Sequence, residues 1–125
     1  MASYRCIVGS RHVDGALTVR PTDTSVFNGQ SATLRCSTSQ GDSDSIWWKR
    51  SEAGGKVESI AIGCSVMPLP SSRYSVIKDA TGQCDLFIRR VDSSVAGNYT
   101  CFDFDVGINE ATAYLTVIGE CRSVL

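Results

Sequence analysis

Apolar and polar residues alternate along most of this chain, in short stretches that turn-forming residues interrupt about every 8–12 positions. In the segment Ser31–Ser37, for example, polar residues separate Ala32, Leu34 and Cys36. No long segment carries the i, i+3, i+4, i+7 apolar stripe of an amphipathic helix. The pattern therefore predicts an all-β protein built as an antiparallel sandwich of short strands.

The predicted strands are the segments that lie between the turn residues. In chain order they are Ala16–Arg20, Thr24–Phe27, Ser31–Ser37, Ser45–Arg50, Val57–Gly63, Cys64–Met67, Arg73–Lys78, Gln83–Val91, Gly97–Phe104 and Ala111–Ile118. We expect residues 1–15 to be an N-terminal extension, 16–119 to form one domain, and 120–125 to be a C-terminal tail. A length of 125 residues fits a single domain.

Composition excludes some classes of function. Hydrophobic residues make up 42% of the chain and charged residues 20%, and the formal net charge is −1. Nucleic-acid-binding proteins usually carry a basic stripe, and the sequence has none, so nucleic acid is not an expected partner. The sequence has no apolar run long enough to cross a bilayer, and charged residues interrupt any signal-peptide core within 1–15. We therefore expect no membrane contact by this segment itself.

Cysteine usage points to an oxidising compartment. The six cysteines are Cys6, Cys36, Cys64, Cys84, Cys101 and Cys121. They form no Cys-x-x-Cys pair, and His12 is the one histidine, so no metal and no other cofactor is expected. We favour disulfides formed outside the cell, with reduced buried thiols as the alternative. Spacing alone does not choose among the many pairings.

Several short motifs follow one another at informative spacings. They are Val26-x-x-Gly29, Leu34-x-Cys36, Trp48 twelve residues after Cys36, Gly97-x-Tyr99-x-Cys101, and Leu115-x-Val117. Together they resemble the immunoglobulin superfamily, and the resemblance covers roughly residues 16–119. It implies a two-sheet antiparallel immunoglobulin sandwich.

The resemblance also implies particular pairings within the sandwich. Cys36 and Cys101 would bond between the packed sheets, and Tyr99 takes the position of the tyrosine corner, whose hydroxyl ties the turn before strand F to the backbone. The 65-residue separation of the two cysteines favours the variable (V) type, with strand C′ at 57–63 and strand C″ at 64–67. In a V-type sandwich the C′/C″ edge passes over the start of strand E, which predicts a Cys64–Cys84 disulfide.

The two remaining cysteines flank the domain body. Strand A′ pairs beside strand G in this fold, so the flanks of the two ends can approach, and we expect a Cys6–Cys121 bond. The alternative is that either cysteine links two chains.

Two positions depart from the usual family pattern. The acidic residue four positions before the corner tyrosine is replaced by Val95, which leaves the partner of Arg73 open, with Asp92 as the first choice. Residues 109–112 lack the Phe-Gly-x-Gly bulge of rearranging receptor chains. This favours a non-rearranging immune-type receptor or an adhesion protein.

Alternation places the two adjacent tryptophans on opposite sides of strand C. Burying Trp48 also buries Ile46, so we place Trp48 inside. The outward residues on the neighbouring strands are then Trp47, Lys49, Phe102, Phe104 and Tyr114. Aromatic rings exposed together are typical of contact sites, and V-type domains pair through this face with themselves or with another V-type domain. The alternative is that loops cover some rings or that a bulge shifts the alternation.

Two further features bear on ligands. The acidic residues predicted in loops at one end of the sandwich are Asp42, Asp44, Asp103 and Asp105. We favour solvated side chains there over a Ca²⁺ site. Residues 98–100, Asn-Tyr-Thr, form an N-glycosylation sequon with Asn98 as the acceptor.

The sequence favours a non-catalytic protein. Any Ser-His or Cys-His arrangement would depend on His12, and no phosphate-binding Gly-rich loop occurs. We therefore expect an extracellular recognition domain, secreted or on a cell surface, of an immune-type or cell-surface receptor. It would bind a protein partner, or itself as a homodimer, through the outer GFCC′ face. The alternatives are an adhesion module of a multi-domain ectodomain and a soluble innate-immunity lectin-like binder that contacts carbohydrate with its loop end.

Overall fold

The computed structural model describes residues 17–39, 43–52, 54–68, 73–104 and 109–119. The strands are β1 (Leu17–Val19), β2 (Thr24–Phe27), β3 (Ala32–Leu34), β4 (Ser37–Thr38), β5 (Ile46–Ser51), β6 (Val57–Ala61), β7 (Tyr74–Ile77), β8 (Asp85–Ile88), β9 (Gly97–Asp103) and β10 (Asn109–Ile118). Short 3₁₀ turns at Ser43–Ser45 and Ser93–Val95 lead into β5 and β9.

The strands form the two layers of an immunoglobulin sandwich. The front sheet has the order β2-β10-β9-β5-β6, in which β2 runs parallel to β10 and the other pairs are antiparallel. The back sheet contains β3-β8-β7, and the short β1-β4 pair continues it through a bridge between Ser37 and Gln83. The expected all-β, two-sheet fold is therefore confirmed.

The core lies between the sheets and contains the inward-facing side of each strand. Along β5 the residues alternate between buried and half-buried, and Ile46 and Trp48 have no exposed surface. The Trp48 indole Nε1 donates to the Cys84 carbonyl at 2.8 Å, which satisfies its one donor inside the core. The placement of Trp48 inside is confirmed, and Trp47 lies on the other side of the strand.

Two disulfides connect elements of the core. Cys36 is bonded to Cys101 with the Cα atoms 6.5 Å apart, and Cys64 to Cys84 with the Cα atoms 5.9 Å apart. Both are the pairs that the resemblance implied. Cys6 and Cys121 lie outside the described residues, as do the proposed extension at 1–15 and the tail at 120–125.

The turn before β9 is fixed by buried hydroxyls. The Tyr99 hydroxyl donates to the Val95 carbonyl at 2.6 Å, as expected of a tyrosine corner, and lies 3.0 Å from the Tyr74 hydroxyl. Burial raises the pKa of both phenols above the ordinary value, so both remain protonated donors at physiological pH.

An ion pair at the edge of the same turn identifies the partner of Arg73, which the replacement of the usual acidic residue by Val95 had left open. The Arg73 guanidinium donates to Asp92 at 2.7 Å, and Asp92 also accepts from the Ser94 backbone N–H at 2.9 Å. The hydrogen bond from Arg73 is the main cause that lowers the pKa of Asp92 to about 2. Asp92 is thus both the partner of Arg73 and the N-cap of the 3₁₀ turn.

The segment expected as strand C″ differs from the prediction. Residues 64–67 make one isolated bridge, between Ala61 and Val66, in place of a paired strand. Gly63 and Cys64 both have positive φ, 62° and 52°, so the chain turns sharply just after β6. Strand C′ is present as β6, the last paired strand of the front sheet in the described part of the chain, and its edge is partly covered by the Met67 backbone N–H, which donates to the Ile60 carbonyl at 2.9 Å.

Candidate binding surface

The outward side of the front sheet carries the sequence-predicted contact residues. Trp47 on β5 is the register partner of Phe102 on β9, so their side chains leave the sheet side by side. Their ring centroids are 4.8 Å apart with the planes tilted by 37°. The Lys49 ammonium lies 5.3 Å from the Phe102 centroid, within cation–π range. We call Trp47, Lys49 and Phe102 the aromatic cluster.

The indole of Trp47 differs from that of Trp48 in its polar atom. Trp47 Nε1 is covered by neighbouring atoms and has no hydrogen-bond acceptor among the described residues. A covered donor without an acceptor costs about 1–3 kcal/mol. The outer tryptophan is therefore held by its contact with Phe102 and not by a polar bond.

Exposed apolar side chains extend this surface. Phe104, just beyond β9, is 48% exposed. Ile62 is 41% exposed. It follows Ala61, the register partner of Trp48 on the antiparallel strand, and therefore lies at the level of Trp47 along the sheet. Clustered exposed apolar surface of this kind marks contact sites more often than scattered single residues do.

Ile62 corrects one part of the strand assignment. Strict alternation over the predicted strands Val57–Gly63 and Cys64–Met67 would place Ile60, Ile62 and Cys64 on one side, and Ile60 and Cys64 are both buried. The β5–β6 register shifts at Trp48, so Ile60 and Ala61 are both buried and Ile62 turns outward. Alternation alone does not reveal such a bulge, because the extra residue leaves no mark in the pattern.

Tyr114 belongs to the same face but lies apart from the aromatic cluster. Tyr114 is 45% exposed and pairs with Asn98. Phe102 pairs with Glu110, which lies four residues before Tyr114 on β10. Four residues of strand span about 13 Å. Thr100 and Thr112 fill the gap and are joined by a 2.8 Å hydroxyl–hydroxyl hydrogen bond. The face therefore has two regions, the aromatic cluster and the Tyr114 end.

A shallow cavity of about 270 Å³ opens beside Tyr114. Its deepest charged group is Arg50, whose guanidinium donates to the Ala96 carbonyl at 2.8 Å and lies 3.3 Å from Glu52 and 3.6 Å from Glu58. Both carboxylates and the carbonyl compensate the buried cation. Arg50 thus holds the β5–β6 hairpin against the turn before β9.

The first residue of β9 explains how this end packs so closely. Gly97 has a φ of +141°, and a Cβ atom added there would lie 2.8 Å from the Ser51 carbonyl oxygen. Any side chain at this position would therefore push β9 away from β5. Glycine is required here by contact as well as by conformation.

The prediction that Asp103 belongs to a cluster of acidic loop residues is wrong. Asp103 has no exposed surface and accepts a hydrogen bond from Thr38, so it is a buried strand residue and not a solvated loop acid. Asp44 is exposed, and Asp42 and Asp105 lie outside the described residues. Within the described ranges, no three His, Cys, Asp or Glu side chains are grouped as a metal site.

The described part of the chain also contains no helix with the length and apolar character needed to cross a membrane. Its helical segments are short 3₁₀ turns.

Comparison with known proteins agrees with this architecture. The immunoglobulin domain family model matches residues 16–102. Mouse protein sidekick-1 is 36% identical over 104 residues, which are 82% of this chain and 4% of that protein. The crystal structure of the RIG-5 IG1 homodimer shares the fold, with a TM-score of 0.69 and 19% identity over 81% of this chain and 94% of that chain. The chain belongs to the immunoglobulin domain family.

Proposed function

We propose that this chain is a non-catalytic, extracellular recognition domain of a cell-surface or immune-type receptor, and that it binds another protein through the front face. The observation that carries the proposal is the aromatic cluster. Trp47 and Phe102 are stacked on the outward side of a sheet whose inward side already buries Trp48 and Tyr99 completely. The core therefore does not account for the outer rings.

The cluster has the properties of an interface anchor. Tryptophan and other large aromatic residues dominate the binding energy of protein interfaces. Because Trp47 and Phe102 already contact each other, little side-chain entropy is lost when a partner covers them.

A second copy of the chain is the first partner to consider. The outward positions of β5, β9 and β10 carry one cation, Lys49, and one carboxylate, Glu110, so two copies of this face would not repel each other. In a two-fold dimer, Lys49 of each chain can face Glu110 of the other. The RIG-5 IG1 structure with the same fold is itself a homodimer.

The finer classification is part of the same proposal. The parallel β2–β10 pair and the C′ strand β6 favour a V-type domain with a shortened C″ segment. The sequence Asn-Glu-Ala-Thr at 109–112, which starts β10, favours a receptor that is not assembled by gene rearrangement. Two disulfides in the core favour an oxidising, extracellular location. An adhesion module would use the same face.

Sedimentation equilibrium of the disulfide-bonded chain tests this proposal. We expect concentration-dependent dimers, weakened on the order of tenfold or more in both Trp47→Ala and Phe102→Ala, since an anchor residue contributes about 2 kcal/mol or more. Phe87→Ala is the matched control, because it removes a half-buried ring from the outward side of the back sheet. It should leave pairing unchanged.

The outcomes separate the parts of the proposal. A wild type that stays monomeric at high concentration refutes self-pairing. Dimers that Phe87→Ala weakens as much as Trp47→Ala does would place the contact elsewhere and refute the front face as the binding surface.

A further inference from the structure

The sequon acceptor lies on the proposed binding face itself. Asn98 is exposed and stands on β9, the central strand of the front sheet, with Tyr114 as its neighbour on β10 and Ser51 on β5. The strand predicted at Gly97–Phe104 already included Asn98, and in the structure β9 likewise begins at Gly97. A group attached to Asn98 would therefore project from the sheet face and not from a loop.

The local structure is suited to carry such a group. Asn98 and Thr100 are two residues apart on one strand, so both side chains point outward, while Tyr99 between them points into the core. In the described part of the chain no hydrogen bond engages the Asn98 side-chain amide, and the shallow cavity beside it leaves open space. Thr100 is nearly covered and is bonded to Thr112 in the folded domain, so transfer would have to precede folding of this strand.

We propose that Asn98 carries an N-linked glycan and that this glycan restricts pairing to the aromatic cluster. The amide nitrogen of Asn98 forms a bond to the anomeric carbon of a lipid-pyrophosphate-linked oligosaccharide. The bond from that carbon to the pyrophosphate oxygen breaks, the lipid pyrophosphate leaves with the electron pair, and the amide loses one proton. The product is uncharged at Asn98.

The position of Asn98 decides the consequence for pairing, which rests on the proposed function. The Asn98 level of β9 is about 13 Å from Phe102, so a glycan there leaves the aromatic cluster open but covers the Tyr114 end. A second chain could then approach the face only at the aromatic cluster. The unglycosylated domain would bury Tyr114 as well and pair more tightly.

The test uses the chain secreted from eukaryotic cells as wild type and as three variants. Asn98→Gln removes the acceptor of the sequon, and Thr100→Val removes its hydroxyl residue. Thr100→Ser is the matched control, because it alters the same side chain but keeps the sequon. Intact mass is measured before and after peptide-N-glycosidase treatment under native conditions, and the dimer dissociation constant is measured by sedimentation equilibrium.

The treatment hydrolyses the glycosylated side-chain amide and leaves an aspartate at position 98, so we expect wild type and Thr100→Ser to lose the mass of one glycan and the other two variants to show no change. We expect the unglycosylated forms to dimerise on the order of tenfold more tightly, the equivalent of one good contact. A wild type without glycan overturns the modification site. A glycan whose removal leaves the dissociation constant unchanged overturns the steric restriction. If the protein is monomeric with and without glycan, self-pairing and the restriction both fail, while the mass result still decides the site.

Discussion

Trp47 and Trp48 are adjacent in the sequence and have opposite environments. Trp48 has no exposed surface, and its indole N–H is bonded to the Cys84 carbonyl. Trp47 is half-buried, stacks on Phe102 and leaves its indole N–H without an acceptor among the described residues. The same side chain is thus fully satisfied on one side of β5 and incompletely satisfied on the other.

This difference separates stability from recognition in one strand. The inward side of β5 and β9 meets the disulfide and the back sheet, so a change there leaves a cavity or an unpaired polar group. The outward side meets the surroundings of the domain, so a change there removes contact area that folding uses only in part. If the two sides have these separate roles, a single substitution on the inward side should mainly affect folding, and one on the outward side should mainly affect pairing.

The largest expected effect is the loss of Trp48. Trp48→Ala should lower the free energy of unfolding by about 4 kcal/mol, because it removes a fully buried indole and leaves a cavity beside the core disulfide. Trp47→Ala should cost about 1 kcal/mol, the scale of one aromatic pair. Urea denaturation at neutral pH measures both values. Equal losses for the two tryptophans would contradict the assignment of separate roles.

The Cys64–Cys84 disulfide tests the same separation of stability from pairing at the edge of the core. Replacing Cys64 and Cys84 together by alanine opens a loop of 20 residues, which the chain-entropy model values at about 3 kcal/mol. We expect this loss in denaturation experiments, with dimer dissociation unchanged because both cysteines are buried in the core and neither is on the outward side of the front sheet. A variant of unchanged stability with weakened pairing would show that this bond positions the face and does not stabilise the core.

The hydroxyl of Tyr99 makes a smaller inward contribution. Tyr99→Phe keeps the ring but deprives the Val95 carbonyl of its donor and the Tyr74 hydroxyl of its neighbour. The expected cost is about 2 kcal/mol, within the range for buried groups left unpaired. Tyr114→Phe is the matched control, because it deletes a hydroxyl from an exposed ring of the front face. A control as destabilised as Tyr99→Phe would refute the special role of the corner hydroxyl.

The sequence predicted the inward side of the sandwich better than its outward side. Alternation together with the family motifs was sufficient to bury Trp48, Tyr99 and the Cys36–Cys101 pair, because a one-residue error would have exposed all of them at once. The sequence left the partner of Arg73 open, with Asp92 as the first choice, and the structure shows that hydrogen bond.

The parts that could not be predicted depend on local backbone geometry. The register shift opposite Trp48 turns Ile62 outward, and positive φ at Gly63 and Cys64 ends the β6 edge before a C″ strand forms. Neither feature changes the residue pattern. Asp103 was assigned to a loop although the predicted strand Gly97–Phe104 already contained it, and its burial is compensated by the hydrogen bond from Thr38.

The smallest expected effect concerns an ion pair on the outside of the fold. The folded state lowers the pKa of Asp92 from the usual 3.8 to about 2, mainly through the hydrogen bond from Arg73. A lowered folded pKa means that the contribution is fully present above about pH 4 and is lost as the pH falls toward 2. The wild type should therefore lose stability in this window through Asp92, in addition to its other carboxylates.

Asp92→Asn isolates that contribution. Asparagine is as good an N-cap as aspartate, so the bond from Ser94 is kept while the charge facing Arg73 is removed. Urea denaturation from pH 7 to pH 2 should show the variant to be less stable than the wild type at neutral pH, with the two curves converging between pH 4 and pH 2. Curves that remain parallel through this window would mean that the exposed Arg73–Asp92 pair adds nothing to folding beyond the cap, and that the stability of the domain resides on the inward side of its sheets.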